Sequence, residues 1–205
     1  MFPEIVFDLA SLTKPIATAL ALGDIDGRPL TDRDVVSTMV LLAAAGNDTT
    51  KHTASWTALN LCRNPEQREW LLADFEGRIG QSIEEFVRFA TVVITFPRTV
   101  TTDVELHGQQ LREGEVVNLF YCSGNRDEAL FADPNRFDLA RPRATNVAFG
   151  GRGVHYCLGN VVAKVQLRSL FWHVLTKLPG LELDGEPTYL HSDFINGISR
   201  MPVRA

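Results

Sequence analysis

A stretch dense in glycine decides the fold of this chain: Phe149-Gly-Gly-Arg-Gly-Val-His-Tyr-Cys-Leu-Gly159. Apolar residues then recur at helical spacing from Leu158 to Leu178, so the stretch is predicted to be a loop that brings Cys157 to the start of a helix. Unpaired amide groups and the positive dipole end of a helix stabilise a thiolate at such a position. The loop therefore predicts a cysteine available for chemistry.

The glycines of this loop indicate what the thiolate faces. Gly153 and Gly159 leave space against the backbone for a flat, bulky group. A thiolate beside such a group favours haem iron with a cysteine ligand. The alternative is a glycine-rich turn that precedes a helix and carries a buried structural cysteine. Phosphate binding is disfavoured, because the loop lacks the residue order of a P-loop and no βαβ unit surrounds it.

A second pattern, Ala45-Gly-Asn-Asp-Thr-Thr50, falls in the middle of a helix predicted over Asp32–Arg63. Thr31-Asp-Arg-Asp34 begins that helix as a capping box with Asp in place of Glu. Gly and paired Thr are poor helix formers, and such a local conflict often marks a functional site. Asp48 and Thr49 would be an acid and an alcohol able to relay protons to a bound ligand. The alternative is a helix that packs closely against a neighbour through its Ala and Gly.

The third pattern is Glu85-Phe-Val-Arg88. Residues three positions apart share a helix face, so the carboxylate and the guanidinium can pair. Taken alone, the pattern is typical of a surface salt bridge, which contributes little to stability.

The whole chain is predicted to be mainly α with a small β part. Asn64 and Ser82 are predicted helix caps. The remaining predicted elements are Pro3–Leu22, Pro65–Gly77 and Ser82–Phe89 as helices, Gly23–Pro29 and Ser123–Phe149 as irregular segments, and Val92–Thr102 with Val104–Leu119 as a hairpin around His107-Gly108. The second irregular segment is long, which is typical of a functional region.

Composition and charge exclude several classes of protein. The 205 residues are 45% apolar and 22% charged, as in globular chains. The net charge of −5 leaves no basic excess to neutralise phosphates, so nucleic acid is not expected as a partner. The longest apolar run, Met39–Ala45, is far short of the roughly 20 residues of a membrane span. Three cysteines are too few for a disulfide framework and favour a reducing, cytoplasmic setting.

The order and spacing of the three patterns resemble the cytochrome P450 family of haem-thiolate monooxygenases. In that family an AGxDTT motif, an ExxR motif, a segment rich in Pro and Arg called the meander, and a cysteine loop follow one another. The resemblance covers about Asp24 to Arg200. It implies the C-terminal portion of the P450 fold across residues 1–205, with a long central helix, the ExxR helix, a small sheet, the meander, the cysteine-ligand loop and the helix after it.

The resemblance implies a role for each matching residue. Cys157 would be the axial ligand of haem b, Phe149 would shield the sulfur, and His155 and Arg98 would reach the haem propionates. The other implied residues are Gly150, Gly153 and Gly159 at the haem, Asp48 and Thr49 as the catalytic acid–alcohol pair, Ala45 and Gly46 beside them in the oxygen-activation groove, and Glu85, Arg88 and Arg136 as a buried structural triad.

Departures from the usual family pattern indicate which members of the family this chain resembles. Phe149 stands one residue further from Cys157 than in the usual loop, as it does in a bacterial subset that acts on sterols and methyl-branched lipids. The segment Asp193–Pro202 is similar to that subset too, and Val92 stands where a proline commonly follows the ExxR helix. The N-terminal half of family members has no counterpart here. Its absence is expected to expose one haem face and the apolar face of the central helix.

The implied activity is insertion of one atom of dioxygen into a C–H bond of an apolar substrate such as a lipid or sterol. A ferredoxin-type protein would supply electrons and would dock on Arg152, Lys164 and Arg168, for which a solvated helix face is the alternative. A different hypothesis is a truncated haem-binding remnant without activity, or one half of a split enzyme that a second chain completes. A zinc domain is disfavoured, because cysteine and histidine pairs at metal-binding spacing are lacking.

Overall fold

The computed structural model describes residues 24–25, 27–142, 145–151 and 153–205. The helix predicted at Pro3–Leu22 and the predicted docking residue Arg152 lie outside the described residues. The chain divides into two compact units, Met1–Asp48 and Thr49–Ala205. Its described elements are mainly helices with small two-stranded sheets, which confirms the predicted class.

A short hairpin in the first unit lies inside the segment predicted to be a loop. Strand β1 (Asp24–Ile25) pairs antiparallel with β2 (Arg28–Pro29). Helix α1 (Asp32–Arg63) has the predicted bounds. At its start the Thr31 amide donates to the Asp34 carboxylate at 2.9 Å, and the Asp34 amide donates to the Thr31 hydroxyl at 3.2 Å. This reciprocal pair confirms the capping box.

Helix α1 is an unbroken α-helix through its glycine-containing middle. Its first part, in the first unit, leaves Val36, Val40 and Leu41 at least 60% exposed. Its second part, in the second unit, buries Leu59 and Leu61. Within the described residues, no helix is long and apolar enough to cross a membrane.

The next two helices meet at Asp74, which corrects their predicted bounds. Helix α2 (Pro65–Ala73) ends before Gly77, and α3 (Phe75–Ala90) begins well before Ser82. The backbone of Asp74 leaves the helical region, with φ −155° and ψ 73°, and its carboxylate accepts from the Gly77 amide at 3.1 Å. Asp74 is therefore the N-cap of α3, and Ser82 lies inside that helix.

The start of α2 also differs in detail from its prediction. Asn64 precedes the helix as expected, and Pro65 occupies its first turn. The Asn64 side chain makes no cap, however, because its Nδ2 donates to the carbonyl of Asn60 at 2.8 Å.

A nested hairpin follows α3, as predicted. Strand β3 (Thr95–Thr99) pairs with β6 (Val116–Phe120), and between them β4 (Val104–Leu106) pairs with β5 (Gln109–Leu111). The turn His107-Gly108 has positive φ at both residues, 47° and 79°, as a tight two-residue hairpin loop requires.

One long helix dominates the rest of the chain. Helix α4 (Tyr121–Gly124) is a single turn, and α5 (Asn160–Lys177) lies close to the helix predicted over Leu158–Leu178. Between α4 and α5 the described residues form turns and bends, as predicted for most of Ser123–Phe149; the part of that segment after α4 is called the meander below. The last strands are β7 (Glu182–Leu183), β8 (Thr188–Tyr189), β9 (Ile198–Arg200) and β10 (Val203–Arg204), with β7 paired to β10 and β8 to β9.

The core of the second unit lies between α3 and α5. The Phe86 ring of α3 meets Phe171 of α5 with centroids 5.1 Å apart, and Phe137 of the meander stacks on Phe86 at 6.3 Å. Burial of these apolar faces is the dominant favourable term in folding. Because α3 carries the ExxR residues and α5 follows the cysteine loop, one packed core supports both motifs.

Candidate active site

Glu85 and Arg88 form a buried, bidentate ion pair on α3. Arg88 Nε donates to Glu85 Oε2 at 2.6 Å, and Nη2 donates to Oε1 at 2.8 Å. The two side chains are 3% and 2% exposed. Removal of one partner from such a pair leaves an uncompensated buried charge, so the pair acts as a unit. The interpretation of this motif as a surface salt bridge is wrong.

The ion pair also holds the backbone of the meander. Arg88 Nη1 donates to the carbonyls of Asn125 at 2.7 Å and Pro134 at 3.0 Å, and Nη2 donates to that of Arg136 at 3.4 Å. The partner carboxylate accepts from the Asp138 amide at 3.0 Å. A segment without regular secondary structure is thus organised by two buried side chains.

The predicted triad needs one correction, because the second arginine at Glu85 is Arg141. Its Nε lies 3.3 Å from Glu85 Oε2, and its Nη2 donates to the carbonyls of Arg136 at 2.9 Å and Asp133 at 3.1 Å. Arg136 contributes its backbone carbonyl to the cluster, while the residue itself is exposed. In an irregular segment no periodicity indicates which of two nearby arginines turns inward, so the sequence carries no signal for this choice.

The cysteine loop closes on itself through backbone hydrogen bonds. The Cys157 amide donates to the Phe149 carbonyl at 3.0 Å. The Cys157 carbonyl accepts from the Asn160 amide at 3.3 Å and from its Nδ2 at 2.7 Å. Both sides of Cys157 are therefore fixed. Asn160 is a loop-fixing residue that the sequence reasoning missed: it is the first residue of α5, and its side chain donates back to the loop instead of capping the helix.

Glycines give this loop its shape. Gly150, Gly151 and Gly153 have φ values of 90°, 73° and 101°, a region that L side chains rarely adopt. A Cβ at Gly150 would also lie 3.4 Å from the His155 carbonyl oxygen. A Cβ at Gly159 would meet the cysteine sulfur at 4.0 Å, which is an ordinary contact. The first three glycines are therefore required by the backbone itself.

The cysteine precedes the helix by a short segment. Helix α5 has Gly159 as its N-cap, so Cys157 stands just before the cap rather than in the first turn. Cys157 is half-buried, while Val154 and Leu158 on either side are 97% and 88% exposed. The Phe149 ring, predicted to shield the sulfur, packs edge-on against Tyr156.

A second polar cluster connects the loop to both core helices. Glu84 of α3 accepts from Lys164 of α5 at 2.7 Å and from Asn146 Nδ2 at 3.1 Å. The same ammonium lies 5.3 Å from the centroid of the Phe149 ring. Arg168, the other described residue predicted for docking, pairs with a second carboxylate of α3. Both of these cations thus have carboxylate partners within the chain.

The residues predicted for proton delivery lie in the middle of α1. Asp48 is exposed and ends the first unit, while Thr49 is half-buried and begins the second. Ala45 and Gly46 are exposed, and a Cβ added at Gly46 would meet open space. The Thr49 carbonyl accepts from the Thr53 hydroxyl at 2.8 Å, a bond to the preceding turn.

The two residues predicted for the propionates lie on different elements. His155 is exposed in the cysteine loop. Arg98 lies inside β3, opposite Val117, and its Nη1 donates to the carbonyl of Pro97 at 2.9 Å. It is half-buried.

The donor set tests which metal centre the residues fit. In the described ranges, no group of three or more His, Cys, Asp and Glu side chains could hold a metal ion. A zinc site built from protein ligands needs such a group. Haem iron takes its equatorial ligands from the cofactor, so a single thiolate on a fixed loop is enough. The residues present therefore fit haem.

Comparison with known proteins decides the family. A sequence model of the family described as Cytochrome P450 matches residues 13–185. The chain belongs to the cytochrome P450 family. A solved cytochrome P450 of Mycobacterium marinum, in complex with pseudoionone, superposes with a TM-score of 0.89 and 46% identity over 95% of this chain and 49% of that one.

Two curated relatives are similar in sequence to this P450 chain over most of its length. A methyl-branched lipid omega-hydroxylase of Mycobacterium tuberculosis is 41% identical over 92% of this chain. A steroid C26-monooxygenase of Mycolicibacterium smegmatis is 38% identical over 93% of it. The match covers 44% of each relative, so the chain spans under half the length of the curated relatives it matches.

Proposed function

We propose that this P450 chain binds haem b through Cys157 and carries the proton-delivery pair of a monooxygenase. The reaction would insert one atom of dioxygen into a C–H bond of an apolar substrate and reduce the other atom to water with two protons and two electrons. The observation that carries the proposal is the cysteine loop, where Phe149 and Asn160 fix both sides of Cys157 by hydrogen bonds of 3.0 Å and 2.7 Å. A loop fixed in this way can present one thiolate to an iron whose other ligands come from a cofactor.

Haem held here by Cys157 would supply the oxygen chemistry, because electron donation from a cysteine thiolate favours cleavage of the O–O bond. Phe149 would cover the sulfur, and Gly150 and Gly153 would keep side chains away from the ring. His155 and Arg98 would bind the propionates through charge-assisted hydrogen bonds.

Asp48 and Thr49 would hold and pass protons at the substrate side. The exposed Asp48 carboxylate can exchange protons with water, and the neighbouring hydroxyl can hand a proton onward. Ala45 and Gly46 would line the oxygen-activation groove beside this pair, and a Cβ at Gly46 would meet nothing within 4 Å.

The relatives suggest the substrate class. Their names specify a methyl-branched lipid and a steroid. We extend this to the present chain as an apolar lipid or sterol. The chemistry would require two electrons from a ferredoxin-type protein in the cytoplasm, a setting that the three free thiols favour.

A second candidate is a haem-binding chain without activity, or one that a further chain completes. Exposed apolar residues just before α5 and in its first turns favour it: Leu158 is 88% exposed, Val161 65% and Val165 61%. Apolar patches of this kind mark surfaces that another protein segment covers.

The first experiment expresses the chain with haem supplied and records the difference spectrum of the reduced carbon-monoxide complex. The proposal expects the Soret band of thiolate-ligated haem in the wild type and its loss in Cys157→Ala. Cys122→Ala is the matched control and should keep the band. If Cys157→Ala retains the thiolate band, the ligand assignment is wrong.

Activity separates the two candidates. A thiolate band together with hydroxylation of a lipid or sterol, given a reduced ferredoxin, supports the monooxygenase. A thiolate band without turnover in the same assay supports the second candidate.

A further inference from the structure

Asn125 is a fully buried amide between α3 and the cysteine loop. Its Oδ1 accepts from the Val147 amide at 2.8 Å, and its Nδ2 donates to the Thr91 hydroxyl at 2.9 Å. Its backbone carbonyl accepts from Arg88 at 2.7 Å, and its backbone amide donates to the Tyr121 carbonyl at 2.9 Å. A buried polar group with this many partners is costly to replace.

The Thr91 side of this contact is the end of the ExxR helix. Thr91 is the C-cap of α3 in the left-handed region, with φ 34°, which is an outlier for a β-branched residue. Its hydroxyl donates to the Arg88 carbonyl at 2.5 Å, so it has lone pairs to offer to Asn125. An amide donor satisfies this site, because the hydroxyl proton is already used.

The Val147 side is the entry to the cysteine loop. The Val147 carbonyl accepts from the Gly150 amide at 2.9 Å, and two residues later Phe149 accepts from the Cys157 amide at 3.0 Å. The Asn125 side chain therefore holds the first residue of the turn Val147–Gly150. In that turn the Phe149 carbonyl accepts the hydrogen bond from the Cys157 amide.

We propose that Asn125 is a positioning residue that fixes the cysteine loop to the buried Glu85–Arg88 pair. The proposal rests on the proposed function in one respect, that Cys157 ligates haem. Asn125 belongs to the segment Gly124-Asn-Arg-Asp127, and the proposed function assigns no role to any residue of that segment. The amide is suited to this place because it donates to Thr91 and accepts from Val147 at once.

Three variants separate positioning from plain stabilisation. Asn125→Ala removes both side-chain bonds. Asn125→Asp keeps the acceptor for the Val147 amide, and Thr91→Val removes the acceptor for Asn125 while leaving the Val147 bond. All three should lower the free energy of unfolding, because each removes at least one hydrogen bond between buried polar groups.

The first readout is hydrogen exchange of the peptide spanning residues 145–151 in the haem-free chain. Asn125→Ala should speed exchange there about tenfold, while Asn125→Asp and Thr91→Val stay near the wild type. The second readout is the share of haem with the thiolate signature, which should fall in Asn125→Ala and persist in the other two.

Equal exchange and equal thiolate share in Asn125→Ala and wild type would overturn the proposal. A rise in exchange and a fall in thiolate share as large in Thr91→Val as in Asn125→Ala would also overturn it. Both changes would then follow from the loss of stability, and Asn125 would be a merely structural residue. If Asn125→Ala fails to fold, Thr91→Val, which keeps the Val147 bond, is compared with the wild type, and faster exchange of residues 145–151 in Thr91→Val overturns the proposal. A wild type without a thiolate band contradicts the proposed function alone, since the exchange result does not depend on haem.

Discussion

Arg141 Nε lies 3.3 Å from Glu85 Oε2, so the carboxylate of the ExxR motif is shared by two arginines. Arg141 belongs to an irregular segment. Its guanidinium fixes that segment by donating to the carbonyls of Asp133 and Arg136. The cluster thus joins a helix to a segment without regular secondary structure.

Replacement of Arg141 should therefore cost more than replacement of Arg136. We expect Arg141→Met to lower the free energy of unfolding by about 1–3 kcal/mol, because it removes an ion-pair partner of the buried Glu85 carboxylate and the hydrogen bonds to backbone carbonyls of the irregular segment. Arg136→Met, which keeps the backbone carbonyl, should change it by about 0.5 kcal/mol or less. Urea denaturation measures both. A larger loss in Arg136→Met would restore the triad that the sequence suggested.

The buried pair itself should behave differently from an exposed one. Arg88→Met leaves Glu85 buried with one partner fewer, and we expect a loss of about 3–5 kcal/mol. Arg204→Met is the matched control, because the Arg204–Glu182 pair at 2.8 Å is more than 60% exposed on both sides. Its unfolding midpoint should stay close to that of the wild type. Similar losses in the two variants would contradict the role assigned to burial.

Local signals in the sequence were sufficient where one strong cue acted alone. The capping box at Thr31, the Asn64-Pro65 break and the His107-Gly108 turn each specify backbone geometry within a few residues. The bounds of α1 and the nested hairpin follow from them. The cysteine loop and the ExxR pair follow from residue types at fixed spacing.

Where two local cues compete, or where the partners of a contact are far apart in sequence, the sequence alone does not predict the structure. Gly77 resembles a helix end, yet the break occurs at Asp74 because that carboxylate caps the next helix. Arg141 pairs with Glu85, and Asn125 bonds Thr91 and Val147, across 22 or more residues of sequence, and no local period indicates these contacts. Such residues are found only when packing brings the segments together.

Two glycine positions should respond in opposite ways to alanine. Gly46→Ala should raise the free energy of unfolding by about 0.5–1 kcal/mol, since a mid-helix Cβ meets open space there. Gly150→Ala should lower it by about 1–3 kcal/mol, because its φ of 90° is strained for an L residue and its Cβ lies 3.4 Å from a carbonyl oxygen. Thermal unfolding of both variants checks this. A stabilised Gly150→Ala would mean that the loop adopts another backbone conformation.

Lys164 should act within the chain more than on a redox partner. Its ammonium is 2.7 Å from Glu84 and lies over the Phe149 ring, so Lys164→Met should destabilise the chain by about 1 kcal/mol. Lys177→Met, on an exposed position of the same helix, is the control. Binding of a ferredoxin at several salt concentrations measures the other role. A large loss of binding in Lys164→Met at unchanged stability would favour the docking surface instead.

The thiol of Cys62 should make stability depend on alkaline pH. Cys62 lies on α1 with Sγ 3.6 Å from the Leu181 carbonyl oxygen, and burial raises the pKa of this thiol above its ordinary value. The folded chain therefore holds the proton more tightly than the unfolded chain, so this stabilisation is complete below the ordinary thiol pKa and is lost as pH rises through the raised one. Urea denaturation from pH 7 to 10 should show a steeper fall for the wild type than for Cys62→Ala. Cys122→Ala, which leaves this thiol in place, should follow the wild type, and parallel curves for wild type and Cys62→Ala would show that burial does not perturb the thiol.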